Sequence, residues 1–148
     1  MRWIAVPLVV AAAAVVGAGW VGGSGGQAEP PAILDIEWLV QSIAGREAAE
    51  GVVSTVRFGG DGRVTGDAGC NRFGGSYALD GDRLEIGPLA ATKRMCPDEI
   101  MTQEDRFLEL LGNPLSVELT PDGLLLLHPE DGGEPTRLVS LPEDDRVE

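Results

Sequence analysis

The chain has 148 residues, with 24 acidic and 11 basic side chains and a formal net charge of −13. That length is enough for one domain and too little for two. The charge excludes phosphate-driven nucleic-acid binding, which needs clustered Lys and Arg, and disfavours adsorption to an anionic membrane surface. Residues 1–28 open with Met1-Arg2-Trp3, a short basic start, followed by an apolar run from Ile4 to Val16 and small residues at Gly26-Gln27-Ala28. This pattern reads as an export signal cleaved after Ala28, with an uncleaved N-terminal anchor as the alternative because Ile4 to Val21 approaches a spanning length. Either reading places the rest of the chain outside the cytoplasmic membrane: periplasmic, in the cell envelope or secreted. No Cys precedes Cys70, so a lipid-anchored lipoprotein is not expected. Glu29-Pro30-Pro31-Ala32 begins a stiff linker over residues 29–36. The domain is then expected over 37–141, with an acidic disordered tail over 142–148.

Trp38 to Ile43 is apolar and stops at Gly45, giving a first strand or a short turn of helix. Val52, Val53, Val56 and Phe58 precede a Gly59-Gly60-Asp61-Gly62 turn, and Arg63-Val64-Thr65 resumes the β pattern, which predicts a hairpin. Ser76 to Leu79, Asp80-Gly81-Asp82 and Leu84 to Ile86 predict a second hairpin. Leu115 to Leu119, Pro121-Asp122-Gly123 and Leu124 to Leu127 predict a third, and Arg137 to Leu141 a last strand. Between the second and third hairpins lies one amphipathic helix, about 97–111. Pro97 suits its first position, Asp98 and Glu99 suit the positive end of its dipole, and Ile100, Phe107 and Leu111 share a face. Gly112-Asn113-Pro114 is expected to end it. The fold class is therefore α+β, mainly antiparallel β: a strongly curved sheet or partly closed barrel that the helix plugs or covers.

Groupings that carry catalysis are sparse. His128 is the only histidine, and no Gly-x-Ser-x-Gly elbow accompanies it. Cys70, Cys96 and His128 would make an open metal site only if the fold converged them, so no metal is expected. Gly59-Gly60-Asp61-Gly62 and Asp80-Gly81-Asp82 resemble calcium-loop fragments but lack the remaining ligands and read as hairpin turns. No cofactor is expected. The even count of two cysteines in an exported chain favours a Cys70–Cys96 disulfide, with two buried free thiols as the alternative.

The segment Gly69-Cys70-Asn71-Arg72-Phe73-Gly74-Gly75-Ser76-Tyr77 is not explained by periodicity. It resembles the signature of the META domain, or HslJ-like, family. Trp38-Leu39 through Gly45, Leu84, Gly87-Pro88-Leu89-Ala90, Thr92 through Cys96-Pro97, Glu104, Phe107, Leu111 and Leu124-x-Leu126 follow in that family's order. Met95 directly precedes Cys96, a departure from many members. The resemblance implies a lipocalin-like half-open or closed β-barrel carrying a helix. It also implies a small bacterial envelope protein tied to stress and antibiotic tolerance. It brings no catalytic residue set, so a non-catalytic role through an unknown protein or small-molecule ligand is expected, for a protein expected to be monomeric. The alternative is an acidic inhibitor or sequestering protein for a cationic envelope protein or antimicrobial. Asn71, Arg72, Ser76, Thr92 and Glu104 are the polar candidates: a binding site if exposed on one face, partners for one another if buried.

Overall fold

The computed structural model describes residues 31–142; the expected export signal and the tail from residue 143 lie outside them. Ten strands and one helix follow in the order β1 (Glu37–Ile43), β2 (Arg46–Glu47), β3 (Thr55–Phe58), β4 (Arg63–Asp67), β5 (Arg72–Asp80), β6 (Arg83–Ile86), β7 (Ala90–Ala91), α1 (Asp98–Leu111), β8 (Leu115–Leu119), β9 (Leu125–Pro129) and β10 (Thr136–Ser140). The circuit β1–β3–β4–β5–β6–β8–β9–β10 closes on itself when β10 pairs with β1, so no long edge is left open. Every pairing between these strands is antiparallel, an isolated parallel bridge joins Leu34 to Phe58, and β2 and β7 pair outside the circuit with β1 and β5. The barrel with a single helix is the architecture expected from the sequence, and it is fully closed.

Local chemistry explains the hairpins. Gly62, Gly81 and Gly123 sit in the three predicted turns with φ of +83°, +62° and +90°. Alternating residues then point inward: Trp38 and Val40 on β1, Val56 and Phe58 on β3, Val64 on β4, Leu84 on β6, Leu115 and Val117 on β8, Leu125 and Leu127 on β9, Leu138 on β10 are all buried. These side chains occupy the barrel interior. Gly66 on β4 is forced by crowding, because a Cβ there would lie 2.1 Å from the Thr55 carbonyl oxygen.

The helix lies across the end of the barrel where β5 begins and β1 and β9 end. Phe107, Leu110 and Leu111 join the core, and the Phe107 ring meets Phe73 edge-on with centroids 5.9 Å apart. The opposite end is closed by the segment ahead of β1. Ile33 is fully buried, and its carbonyl oxygen accepts the Trp38 indole N–H at 3.1 Å. Two helix boundaries differ from expectation. Pro97 precedes the helix as its cap rather than opening it, and Gly112 keeps a right-handed conformation with φ −77°. The Gly112 and Asn113 backbone N–H groups reach the Leu108, Glu109 and Leu110 carbonyls, and the Asn113 side-chain amide adds a bond to the Glu109 carbonyl at 2.8 Å, so the last turn is satisfied without a left-handed glycine. Among the described residues, no helix is long and apolar enough to cross a membrane.

Candidate functional site: the clasp at the helix-covered end

The Gly69–Arg72 segment enters β5 through a tight corner. Gly69 has φ +131°, and its N–H donates to Asp67 Oδ1 at 2.9 Å, while the Ala68 N–H donates to the Asn71 carbonyl at 2.8 Å. This corner turns the backbone amides of Cys70 and Asn71 toward the helix. Glu104, 3% exposed, receives them: Oε1 accepts from Cys70 N at 3.1 Å and Asn71 N at 2.6 Å, and Oε2 accepts from Asn71 Nδ2 at 2.8 Å. A buried carboxylate without a cationic partner is thus stabilised entirely by N–H donors.

Asn71 carries the second half of the clasp. Its Oδ1 accepts from the Thr92 hydroxyl at 3.0 Å and from the Arg94 N–H at 2.5 Å, and its Nδ2 also donates to the Arg94 carbonyl at 3.1 Å. Thr92 Oγ1 in turn accepts the Arg72 N–H at 3.1 Å. One asparagine side chain therefore fixes the irregular 92–97 loop to the start of β5. Cys70 and Cys96 are joined by a disulfide, with Cα atoms 6.0 Å apart, which ties the end of that loop to the same corner. The alternative of two free thiols does not hold.

Of the five polar candidates, the structure brings three together. Asn71 and Glu104 are buried and Thr92 reaches them from an exposed position. Arg72 and Ser76 are exposed on β5, and only the backbone of Arg72 takes part. Gln103 and Ser54 belong to the same end and escaped the sequence reading. Gln103 Oε1 accepts the Ala49 N–H at 2.6 Å, its Nε2 donates to Ser54 Oγ at 3.0 Å, and Ser54 Oγ donates to the Ala68 carbonyl at 3.1 Å. The signal for Gln103 was its place four residues before Phe107 on the inward stripe. Among the described residues, no buried side-chain nitrogen or oxygen lacks a partner.

A sequence model of the META domain matches residues 31–141. The chain belongs to the META domain family. The residues that carried the resemblance, the Gly-Cys-Asn corner, the Thr92–Cys96 loop and Glu104, meet in the clasp as one network. Two solved structures share the fold. An NMR structure of a protein from Burkholderia xenovorans is 22% identical, covers 75% of this chain and 85% of its own, and superposes with a TM-score of 0.61. A second NMR structure is 23% identical, covers 70% of this chain and 87% of its own, with a TM-score of 0.57. No curated protein matches the chain.

Beside the clasp the META barrel carries a surface groove of about 570 Å³ between the second half of α1, the Ala44 turn and the β9–β10 loop. Ile43, Leu110, Pro114 and Pro129 give it apolar walls, and Glu109, Glu130, Asp131 and Glu134 outnumber the single Arg106 around them. His128 stands elsewhere, on β9, with Nε2 2.8 Å from Glu118 Oε2 across the pair with β8. Both cysteines being bonded to each other, the three residues weighed as metal ligands do not converge, and among the described residues no other cluster of His, Cys, Asp and Glu could hold an ion.

Proposed function

We propose that the protein is a non-catalytic, exported binding protein that supports envelope stress or antibiotic tolerance. One observation carries the non-catalytic part. Asn71, Thr92 and Glu104, the polar residues of the META motif, are engaged in hydrogen bonds with one another and with backbone rather than facing a substrate cavity. The Cys70–Cys96 disulfide supports an oxidising compartment. A strain lacking the gene is the direct test: it should lose tolerance to heat or to an envelope-active antibiotic and regain it with the wild-type chain. Unchanged tolerance under both stresses rejects the role.

A second reading is favoured by the groove. Glu109, Asp131 and Glu134 around apolar walls, with Glu130 already paired to Arg83 at 2.9 Å, suit a cationic, partly apolar peptide or protein segment. Titration with a basic amphipathic peptide should show binding that weakens as salt rises toward ~0.15 M, where screening shortens the reach of surface charge to about 8 Å. Replacing Glu109 and Glu134 by Gln should weaken it further. Binding that ignores both salt and these substitutions rejects the groove as the site.

A further inference from the structure

Basic residues are scarce in this chain, yet Arg72, Lys93 and Arg94 all lie within three positions of Cys70 or Cys96. Arg72 is exposed at the start of β5, and Lys93 and Arg94 are exposed on the loop held against it by the Thr92 N–H donating to the Arg72 carbonyl and the Arg72 N–H donating to Thr92 Oγ1. Among the described residues none of the three is ion-paired. Met95 follows with 87% of its surface exposed, which neither packing nor folding explains. Next comes Cys96, partly exposed, ahead of the N-terminus of α1. Its partner Cys70 is only 8% exposed. The disulfide is therefore asymmetric: Cys96 is partly exposed two residues after Arg94, whereas Cys70 is buried beneath the clasp.

We propose that Cys96 is a site of thiol–disulfide exchange, at which the protein captures an exposed cysteine thiol of a partner as a mixed disulfide. Thiolates are the species that attack disulfides, and Lys93, Arg94 and the helix N-terminus attract an incoming thiolate to this sulfur. Asp98 and Glu99 in the first helical turn offset part of that attraction. In the step, the partner's thiolate forms a bond to Cys96 Sγ while the Cys70–Cys96 bond breaks. Cys70 leaves with the electron pair and takes up a proton equivalent to the one the partner's thiol released to water. The partner's sulfur is oxidised and Cys70 is reduced, so no further reagent is required.

The surroundings make the step reversible. With the bond open, Glu104 still holds the Cys70 and Asn71 amides, and Asn71 still holds Arg94. The Arg94 carbonyl oxygen lies 3.6 Å from Cys70 Sγ, placed to accept from the thiol that forms there. Cys70 thus stays beside Cys96 and can resolve the mixed disulfide, releasing the partner. Met95 offers an apolar contact next to the attacked sulfur. Capture needs no turnover, so the inference goes beyond the proposed binding role and stands or falls separately from the acidic groove.

The test uses the oxidised full chain and reduced glutathione as the probe, with acid quenching, alkylation of free thiols and peptide mass mapping. The expected product carries glutathione on Cys96 and the alkyl group on Cys70, formed while the native circular dichroism is retained. A Cys70→Ser variant with its remaining thiol left to react with oxidised glutathione should hold the adduct on Cys96 without resolving it. Joint Lys93→Glu and Arg94→Glu substitution should slow the wild-type exchange about threefold to tenfold at low salt, with the difference shrinking at high salt. Glutathione on Cys70, or exchange only after denaturation, overturns the proposal; wild-type mapping decides this even where the Cys70 variant does not fold. An unchanged rate in the charge-reversed variant overturns the steering by the basic loop.

Discussion

The two ends of the barrel are closed by opposite means. At one end Ile33, Trp38 and Phe58 make an apolar plug, with one indole hydrogen bond and a tyrosine at its rim. At the other, the second half of α1 buries Phe107, Leu110 and Leu111, but its first half inserts Gln103 and Glu104 and is held by side-chain hydrogen bonds and a disulfide. The difference is one of what each kind of closure specifies. Apolar burial is strong but tolerates sliding, whereas a carboxylate matched to three N–H donors accepts only one position of helix against strand. The end that needs an irregular loop held in one shape is the one built from polar groups.

The largest effect should come from the plug. Among the described residues Trp38 is the bulkiest fully buried side chain. Trp38→Ala should cost about 3–5 kcal/mol in chemical denaturation. A loss below ~1 kcal/mol would mean that the segment ahead of β1 is not part of the cooperative fold. Opening the other end covalently comes next. Replacing both cysteines by Ala removes a crosslink with a sequence separation of 26, worth about 3.5 kcal/mol in the chain-entropy model. The clasp hydrogen bonds should keep the protein folded without it, seen as a cooperative transition at lower denaturant. Loss of the transition altogether would show that the hydrogen bonds cannot hold the loop alone.

Glu104→Gln sharpens the same comparison. Shape is kept, but the amide can offer only one acceptor oxygen to the Cys70, Asn71 and Asn71 side-chain donors. A cost of about 2 kcal/mol is expected. Because the disulfide and Glu104 restrain the same corner, combining their removal should be non-additive, whereas Trp38→Ala with Glu104→Gln should add. Additivity in the first pair would show that the two devices act on independent segments.

The hairpins were legible because their turns are chemical: Gly62, Gly81 and Gly123 each take the positive φ that an Asp-Gly or Gly-rich turn announces. The helix was legible from its stripe. Closure of β1 on β10 was not, since Trp38 to Val40 and Leu138 to Ser140 meet across the whole chain and carry no local mark of each other. β2 and β7 are two residues each and have no pattern to read. In the clasp, Asn71, Thr92 and Glu104 were visible through their family motif. Ser54 was hidden because a serine before a strand looks like any loop residue, and its partners, Gln103 and the Ala68 carbonyl, are distant in sequence.

The smallest predicted effect lies at the plug's rim and tests how dry that end is. The Tyr77 hydroxyl donates to the Gly59 carbonyl, and its ring meets Phe58 edge-on at 5.3 Å. Burial first, then the charges of Asp35 and Asp61, push the phenol above its ordinary value of 10.0. Above that pH the native state holds a proton that the unfolded state gives up, so this contribution is complete below pH 10 and declines as pH rises through the folded value. Tyr77→Phe should cost about 1 kcal/mol at neutral pH and flatten the alkaline fall in stability. An ultraviolet titration in which Tyr77, the sole tyrosine, ionises like a free phenol would mean that water reaches the ring, and that the apolar end is open where the polar end is shut.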